Sequence, residues 1–256
     1  MTIKLPVALD RDPIGNAIFE IRFSTPLASG VSDLLPGLMF RRLNKRYSKA
    51  VTLPAGEIPL AIRSQLPNSE YQAVKSLQGD RKSLNFAERS LTVEVVKPYP
   101  GWKEFKALIS EALDTIRETG IVSKIERCSL RYINVLQGEG VPSNVFDALN
   151  ITGDVGKFPI AENGFHLRVE TPLADGLLAI IQLFSSANIE VRNGDSVESM
   201  DGIMLDIDCL HTGVFDNFLS DYSGVIEEIH TQEKRVFFSM INDATLKAFG
   251  PRWEAK

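Results

Sequence analysis

The chain has 256 residues, of which 44% are hydrophobic and 24% charged, a balance typical of globular proteins and not of disordered ones. This length suits one compact domain spanning residues 1–256. No apolar run approaches the roughly 20 residues that a membrane-spanning helix needs, and the first residues lack the apolar stretch of a signal peptide. We therefore expect a soluble cytoplasmic protein that does not interact with membranes.

The net charge of −5 is unevenly distributed along the chain. Residues 1–125 carry 18 Lys and Arg against 13 Asp and Glu, whereas residues 126–256 carry 10 against 20. This asymmetry fits a basic surface for an anionic partner, or two halves of one domain whose faces are solvated differently. The second interpretation is the simpler one.

The first half begins with a strand and a helix. Residues 16–23 alternate between apolar and polar side chains, and this period of two predicts a half-buried strand. Apolar residues at helical spacing over 28–47 predict a helix, which Pro36 kinks or divides. Bends at Pro, Gly and Ser then delimit short segments. The predicted strands here are 58–64, 70–77, 83–88 and 91–97.

An amphipathic helix begins near Trp102, and Gly120 is its natural stop. A long strand follows at about 125–136. Residues 137–163 are rich in Gly, Pro and Asn, with room for one short helix near 143–149. This order of elements resembles that of the first half.

The remaining predicted strands are 165–172, 177–185 and 203–211. The first two form a hairpin through Ala174-Asp175-Gly176. A polar loop from Asn188 to Gly202 leads to the third. The last elements are a long helix with an apolar stripe from Phe215 to Ile229 and a short helix that begins after Asn242, a good N-cap.

Each half of the chain thus reads strand, helix, antiparallel strands, helix. We expect an α+β fold of two pseudo-duplicated units, residues 1–124 and 125–256, with a curved antiparallel sheet packed against long helices. Such packing often leaves an internal cleft, and clefts bind ligands.

Several stretches, taken together and in order, carry a family resemblance. They are Pro13 to Phe23, Trp102-x-x-Phe105, Leu130-Arg131-Tyr132-Ile133-Asn134, Leu205-Asp206-Ile207-Asp208, and Leu219 to Phe238 with His230 and the Phe237-Phe238 pair. Over nearly the whole chain they resemble the "sporadically distributed" family of uncharacterised bacterial proteins. Asp12 and Asn16 stand where that family usually has a proline and an acid. The resemblance implies a bacterial cytoplasmic protein of patchy occurrence, as for mobile or defence-associated genes, and it implies no activity.

Five residues on two predicted strands are candidates for ligand binding: Arg131, Tyr132, Asn134, Asp206 and Asp208. Tyr132 and Asn134 share one face of their strand, and Arg131 points the other way. An Arg131 fork with Asp206 or Asp208 either holds two strands together or grips a ligand carboxylate. The structural ion pair is the simpler interpretation.

The sequence carries no clear motif for catalysis, metals or cofactors. Asp206-x-Asp208-x-x-His211 presents two carboxylates on one face, but no second cluster completes a metal site. Nucleophile elbows and Gly-rich phosphate loops are missing. We interpret His166 and His230 as local hydrogen-bonding groups. We therefore predict no catalytic residue, no metal and no cofactor.

One basic cluster stands out, formed by Arg41, Arg42, Lys45, Arg46 and Lys49. Positions 42, 45, 46 and 49 would share one face of a helix and could contact phosphates. The simpler interpretation is that cations near a helix C-terminus complement its dipole.

These observations favour a non-catalytic binding or accessory protein, whose partner is another protein or a small ligand held in the sheet–helix cleft. The alternatives are a nucleic-acid-associated protein of a defence or mobile module and an enzyme with an unrecognised cleft site. Homo-oligomerisation is left open.

The nucleic-acid alternative makes a direct prediction. Replacing Arg42→Glu together with Lys45→Glu should abolish any retention on heparin or RNA, because it reverses two charges at the centre of the cluster. Salt-gradient chromatography on both matrices measures this, and unchanged retention removes the cluster from consideration.

Overall fold

The computed structural model of the chain describes residues 4–153, 156–157, 160, 164–193, 196–215 and 217–254. In these residues the chain forms one nine-stranded antiparallel sheet, with helices packed on one face, and a separate two-stranded pair. The predicted α+β class is confirmed.

Eleven strands and six α-helices make up the described part of the chain. The strands are β1 (Ala8–Leu9), β2 (Ile14–Ser24), β3 (Lys49–Thr52), β4 (Lys75–Gly79), β5 (Lys82–Phe86), β6 (Ser90–Val96), β7 (Lys124–Leu136), β8 (His166–Pro172), β9 (Leu177–Asn193), β10 (Ser196–Phe215) and β11 (Pro251–Arg252). The helices are α1 (Val31–Leu43), α2 (Leu60–Arg63), α3 (Trp102–Thr119), α4 (Val145–Ala148), α5 (Ser223–Met240) and α6 (Asp243–Ala248).

The large sheet has the order β3-β4-β5-β6-β2-β7-β10-β9-β8, and β1 pairs with β11. Outward from β2 lie β6, β5, β4 and β3, and outward from β7 lie β10, β9 and β8. Helices α3 and α5, each 18 residues long, follow β6 and β10 along the chain. The strands on each side of the β2–β7 pair thus follow in reverse chain order, but the first half has one strand more, and the duplication of the two halves stays a prediction.

Strand β2 shows why the sheet has two different faces. Ala17, Phe19, Ile21 and Phe23 are at most 1% exposed and pack in the core with the helices. The residues between them, such as Glu20, are half-buried on the opposite side. Burying each large apolar side chain contributes about 1.5–3 kcal/mol, so this alternation fixes the register of the strand. We call the two sides the helix face and the open face.

Helix α1 begins at Val31, three residues after the predicted start, because a side chain from another element caps it. Glu88 Oε2 accepts the backbone N–H groups of Gly30 at 3.0 Å and Val31 at 3.1 Å, and Ser32 Oγ donates to the same carboxylate. These bonds satisfy donors that a helix N-terminus leaves free. Pro36 lies inside the helix, which continues to Leu43.

The predicted strand at 58–64 is wrong. Residues Pro54–Glu57 form a 3-10 turn and Leu60–Arg63 form α2. Pro59 caps this short helix, and prolines suit helix starts because their fixed φ favours a turn over a paired strand. The buried Arg63 side chain then donates from Nη1 to the carbonyl of Ala55 at 3.1 Å, which holds the two turns together.

The predicted loop from Asn188 to Gly202 is also wrong where the structure describes it. Strands β9 and β10 continue through it as a long hairpin whose last described pair is Asn193 with Ser196. Residues 194 and 195 lie outside the described residues. Met200 packs with Val135 against Val96 and Ile189, so the far half of the hairpin contacts the open face.

The other predicted elements differ mainly at their boundaries. The short helix expected near 143–149 is α4, and much of the stretch that follows it, within 154–163, lies outside the described residues. Phe215 belongs to β10, so the predicted long helix begins later, at Ser223. Asn242 caps α6 as expected, since its side chain accepts the N–H of Thr245 at 3.0 Å.

Two glycines give a matched test of the packing. A Cβ on Gly79 would lie 2.2 Å from the carbonyl oxygen of Arg46, whereas one on Gly37, inside α1, would meet nothing within 4 Å. Gly79→Ala should lower the free energy of unfolding by about 1–3 kcal/mol through steric strain. Gly37→Ala should raise it by about 0.5–1 kcal/mol, because alanine favours the helix. Urea unfolding measures both, and equal effects would contradict the close contact at Gly79.

Candidate ligand-binding cleft

The five predicted ligand-binding residues do not form one site. Arg131, Asp206 and Asp208 lie on the open face, where β7 and β10 pair in the register Asp208 with Arg131. Tyr132 and Asn134 lie on the helix face, where Tyr132 contacts aromatic rings of the core. The period of two that made them neighbours in sequence separates them across the thickness of the sheet.

Arg131 and Asp206 form the predicted fork. Nε lies 2.7 Å from Oδ1 and Nη2 lies 2.5 Å from Oδ2, and Gln182 Nε2 also donates to Oδ2 at 3.1 Å. The bond to Asp206 raises the pKa of Arg131. Beside it, Arg127 Nη2 donates to Asp208 Oδ2 at 3.1 Å, and burial raises the pKa of Asp208. These pairs join neighbouring strands, which matches the structural interpretation of the fork.

The basic cluster is less continuous than expected. Helix α1 ends before Lys45, and Lys49 begins strand β3, so the predicted shared helical face is wrong. Arg42 forms an ion pair with Glu118, and Arg46 Nε lies 2.9 Å from Glu111 Oε2. Both acids belong to α3. Arg42 therefore links α1 to α3, and Arg46 links the turn after α1 to α3. The other three cations, Arg41, Lys45 and Lys49, are exposed.

A cavity of about 420 Å³ lies on the helix face, between four parts of the chain. Its walls are the segment from Pro6 to Ile14, the segment from Tyr99 to Trp102, strand β7 and helix α5. We call it the cleft. Of the five predicted residues, Tyr132 and Asn134 line it.

Helix α5 supplies five lining residues at the spacing of one helical face: His230, Glu233, Lys234, Phe237 and Phe238. Trp102, at the start of α3, stacks on the His230 ring with centroids 3.8 Å apart and planes 5° from parallel. The helix therefore presents both a carboxyl and an aromatic platform to the cavity.

The aromatic wall is held by hydrogen bonds. The hydroxyl oxygens of Tyr99 and Tyr132 lie 3.1 Å apart, and their rings meet edge to face with centroids 5.7 Å apart. Trp102 Nε1 donates to Glu227 Oε2 at 3.1 Å, and Lys106 Nζ lies 2.6 Å from Oε1 of the same carboxylate. These bonds fix the rings before any ligand arrives.

Glu233 is the unusual group of the cleft. Its residue is 5% exposed, and within the described part of the chain its carboxyl makes neither a hydrogen bond nor an ion pair. Burial raises its pKa to about 8. A buried polar group without a partner costs free energy, and native proteins keep few of them.

The neighbours of Glu233 are already engaged or neutral. Burial lowers the pKa of His230 to about 4, so its ring is uncharged at neutral pH. Lys234 Nζ donates to the carbonyl of Pro6 at 3.1 Å, which ties the amino-terminal segment to α5. Asn134 Nδ2 donates to the carbonyls of Tyr132 and Leu205, at 3.3 and 3.1 Å. The amide of Asn134 therefore supports the wall of the cleft.

A second cavity, of about 500 Å³, lies on the open face and is polar. Glu94 is central to it and accepts from Asn16 Nδ2 at 2.6 Å, Asn85 Nδ2 at 2.9 Å and Ser83 Oγ at 3.1 Å. Asn16 Oδ1 and Ser76 Oγ are buried there without a partner. The carboxylate of Glu94 thus has three hydrogen-bond donors from the protein, unlike the carboxyl of Glu233.

The sequence interpretation missed His230 and Glu233 as a site because the apolar stripe of the last long helix was followed only to Ile229. A detectable pattern exists: Ile226, Ile229, Glu233 and Phe237 continue one buried stripe at spacings of three and four. A carboxylate on such a stripe is rarely buried unless it is paired or takes part in binding or catalysis.

Two further findings bound the chemistry. Within the described residues, no group of three or more His, Cys, Asp and Glu side chains is arranged to hold a metal ion. In the same part of the chain, no helix is both long and apolar enough to cross a membrane.

Comparison with known proteins adds no relative: no family model matches the chain, and no curated protein matches it. The resemblance to the "sporadically distributed" family therefore stays a prediction.

Glu233 and His230, both on α5, change the stability of the fold with pH in opposite directions. The raised pKa of Glu233 means that the folded chain keeps a proton that the unfolded chain loses between pH 4.5 and about 8, so stability falls as pH rises through that window. For His230, stability falls as pH drops from 6.5 towards about 4. The two effects oppose each other between pH 4.5 and 6.5.

Above pH 6.5 the His230 effect no longer changes with pH, and the Glu233 effect continues. The free energy of unfolding should decrease by at most about 1.4 kcal/mol per pH unit between 6.5 and 8. Glu233→Gln should remove that slope, and the exposed Glu104→Gln on α3 should keep it. Urea unfolding at half-unit pH steps measures this, and an identical slope in the Glu233 variant would contradict the burial argument.

Proposed function

We propose that the protein is a non-catalytic binding protein that holds a small organic ligand in the cleft. The observation that carries this proposal is the carboxyl of Glu233, which is buried, unpaired and part of the lining of a cavity of about 420 Å³. From composition and the family resemblance we further propose a bacterial cytoplasmic setting.

The cavity has the size and composition of a small-molecule site. Such sites typically occupy about 300–1,000 Å³ and combine apolar walls with a few polar groups. Here the apolar walls come mainly from aromatic rings, and the carboxyl of Glu233 has no hydrogen-bond or ion-pair partner within the described residues. A ligand that hydrogen-bonds to it would remove the cost of leaving it unpaired.

The rigidity of the walls supports binding as the role of the site. Trp102 is held between His230 and Glu227, and Tyr99 is bonded to Tyr132. Rings that are fixed before binding lose little conformational entropy when a ligand arrives, so more of the contact energy becomes affinity. Tyr and Trp suit this role because they combine large contact area with few rotatable bonds.

An enzyme is the second candidate, and one observation favours it. A carboxyl whose pKa is about 8 can exchange a proton at neutral pH, as a general acid or base must. The nucleic-acid alternative has less support, because Arg42 and Arg46 are engaged with acids of α3.

The proposal predicts that filling the cleft abolishes ligand binding. Ala8 lines the cavity, so Ala8→Trp should occupy it, whereas Ala50→Trp adds the same bulk to exposed strand β3. After incubation with a deproteinised bacterial cell extract, native mass spectrometry should show a 1:1 adduct on the wild type and the Ala50 variant only.

Two outcomes would contradict the proposal: no adduct on the wild type, or an adduct that survives Ala8→Trp. A ligand that the wild type converts to a product, and Glu233→Gln does not, would favour the enzyme instead.

A further inference from the structure

We infer that the ligand of the cleft is an organic amine in its protonated form, held by an ion pair with Glu233 and by the surrounding aromatic rings. This inference rests on the proposed function and narrows it to a chemical class.

The first step concerns what Glu233 can bind. In its ionised form the carboxyl only accepts hydrogen bonds, so the group that faces it in the ligand must then be a donor. The Glu233 residue is 5% exposed, and Lys234 attracts its charge without lying within ion-pair distance. A neutral donor would leave that charge without a close opposite charge, which is costly, whereas an ammonium group supplies both the hydrogen bond and the charge.

The second step is that the cations around the cleft are already engaged. Lys234 Nζ bonds to the carbonyl of Pro6, Arg252 Nε lies 3.1 Å from Asp10 Oδ1, and Lys106 Nζ lies 2.6 Å from Glu227. None of these three lies within ion-pair distance of Glu233. The place opposite the carboxyl is therefore open to an external cation.

The third step is the composition of the walls. Five aromatic side chains line the cleft: Tyr99, Trp102, Tyr132, Phe237 and Phe238. Aromatic faces attract cations, typically by about 0.5–2 kcal/mol when the cation is desolvated, and they also pack against an apolar body. A carboxyl in a cavity lined by aromatic rings is thus complementary to an amine with an apolar substituent.

An anionic ligand fits less well. Asp12 also lines the cleft, and its Oδ1 accepts the N–H of Ile14 at 3.2 Å. The lining also holds two cations, Lys234 and Arg252, but Lys234 Nζ is bonded to the carbonyl of Pro6 and Arg252 Nε lies 3.1 Å from Asp10 Oδ1. A ligand carboxylate or phosphate would therefore compete with these contacts, and it would meet the acids Asp12 and Glu233 and a neutral His230.

Binding of the amine is coupled to proton release. With a pKa of about 8, Glu233 is mostly protonated in the empty cleft at pH 7. The ammonium group pairs with the carboxylate, so the carboxyl proton leaves to solvent and the ligand keeps its own. Affinity should rise about tenfold per pH unit below pH 8 and level off above it.

The other titratable groups around Glu233 are separable from this effect. Tyr99, Tyr132 and Cys209 stay protonated because burial raises their pKa values. His230 is neutral throughout this range. Lys234 and Asp12 remain. Burial lowers the pKa of Lys234, and proton loss there would remove a positive charge and strengthen cation binding, as Glu233 ionisation does. Glu233→Gln distinguishes the two groups because it keeps Lys234. Burial raises the pKa of Asp12, so Asp12→Asn tests that group directly.

The experiment compares 2-phenylethylamine with 2-phenylethanol, which has the same body and a neutral donor. Isothermal titration calorimetry at pH 6, 7 and 8, in two buffers of different ionisation enthalpy, gives affinity and proton release. The amine should bind at least about 30-fold more tightly than the alcohol at pH 8 and release close to one proton at pH 7. Asp12→Asn should still release it.

Glu233→Gln should weaken amine binding about 100-fold and leave alcohol binding nearly unchanged, while Glu104→Gln should alter neither. Equal affinities for the two probes, or unchanged amine affinity in the Glu233 variant, would overturn the inference. So would the absence of binding by 2-phenylethylamine, cyclohexylamine and butane-1,4-diamine at 10 mM. If the Glu233 variant does not fold, the comparison of the amine with the alcohol on the wild type still decides the inference.

These outcomes separate the inference from the proposed function. If the amines fail but the wild type keeps an adduct that Ala8→Trp removes, the cleft is a binding site for another class of ligand. If both fail, neither proposal survives.

Discussion

The pairing of β7 with both β2 and β10 is the constraint on which the rest of the structure depends. It joins the strands around β2 and the strands around β10 into one sheet, and its period of two assigns each residue of β7 to one face. Arg131 therefore meets Asp206 on the open face, while Tyr132 and Asn134 point to the helices. A shift by one residue would exchange these environments, burying a guanidinium in the core and exposing a tyrosine.

The same constraint explains why the two faces solve the problem of buried charge differently. On the open face, two inward-pointing carboxylates meet donors on neighbouring strands: Asp206 meets Arg131 and Gln182, and Glu94 meets three uncharged donors. On the helix face, the side chains around Glu233 come from a helix, from loops and from β7, and their donors are used elsewhere. A cross-strand lattice supplies partners at regular spacing, whereas a helix packed on that lattice does not.

Much of the fold follows from local patterns in the sequence, and the errors have local causes. The alternation of β2, the stripe of α3 ending at Gly120 and the cap at Asn242 all predict elements that the structure contains. The segment 58–64 looked like a strand because its apolar residues alternate, but Pro59 and the buried Arg63 favour turns. The hairpin beyond Asn188 is polar in sequence, which favours a loop, but polar residues such as Glu198 and Asp201 are exposed on a two-stranded ribbon.

The cleft was harder to predict than the fold, because it joins residues that are far apart in the chain. Pro6, Trp102, Tyr132 and Glu233 meet only when the amino-terminal segment crosses α5 and that helix packs on β7. What the sequence does carry is the conflict itself, a carboxylate on the buried stripe of α5. Such a conflict lowers stability, and within the described residues no group forms a hydrogen bond or an ion pair with that carboxyl, although the charge of Lys234 attracts it. An external cation would satisfy it, which is why the buried Glu233 is the best indication of what the protein binds.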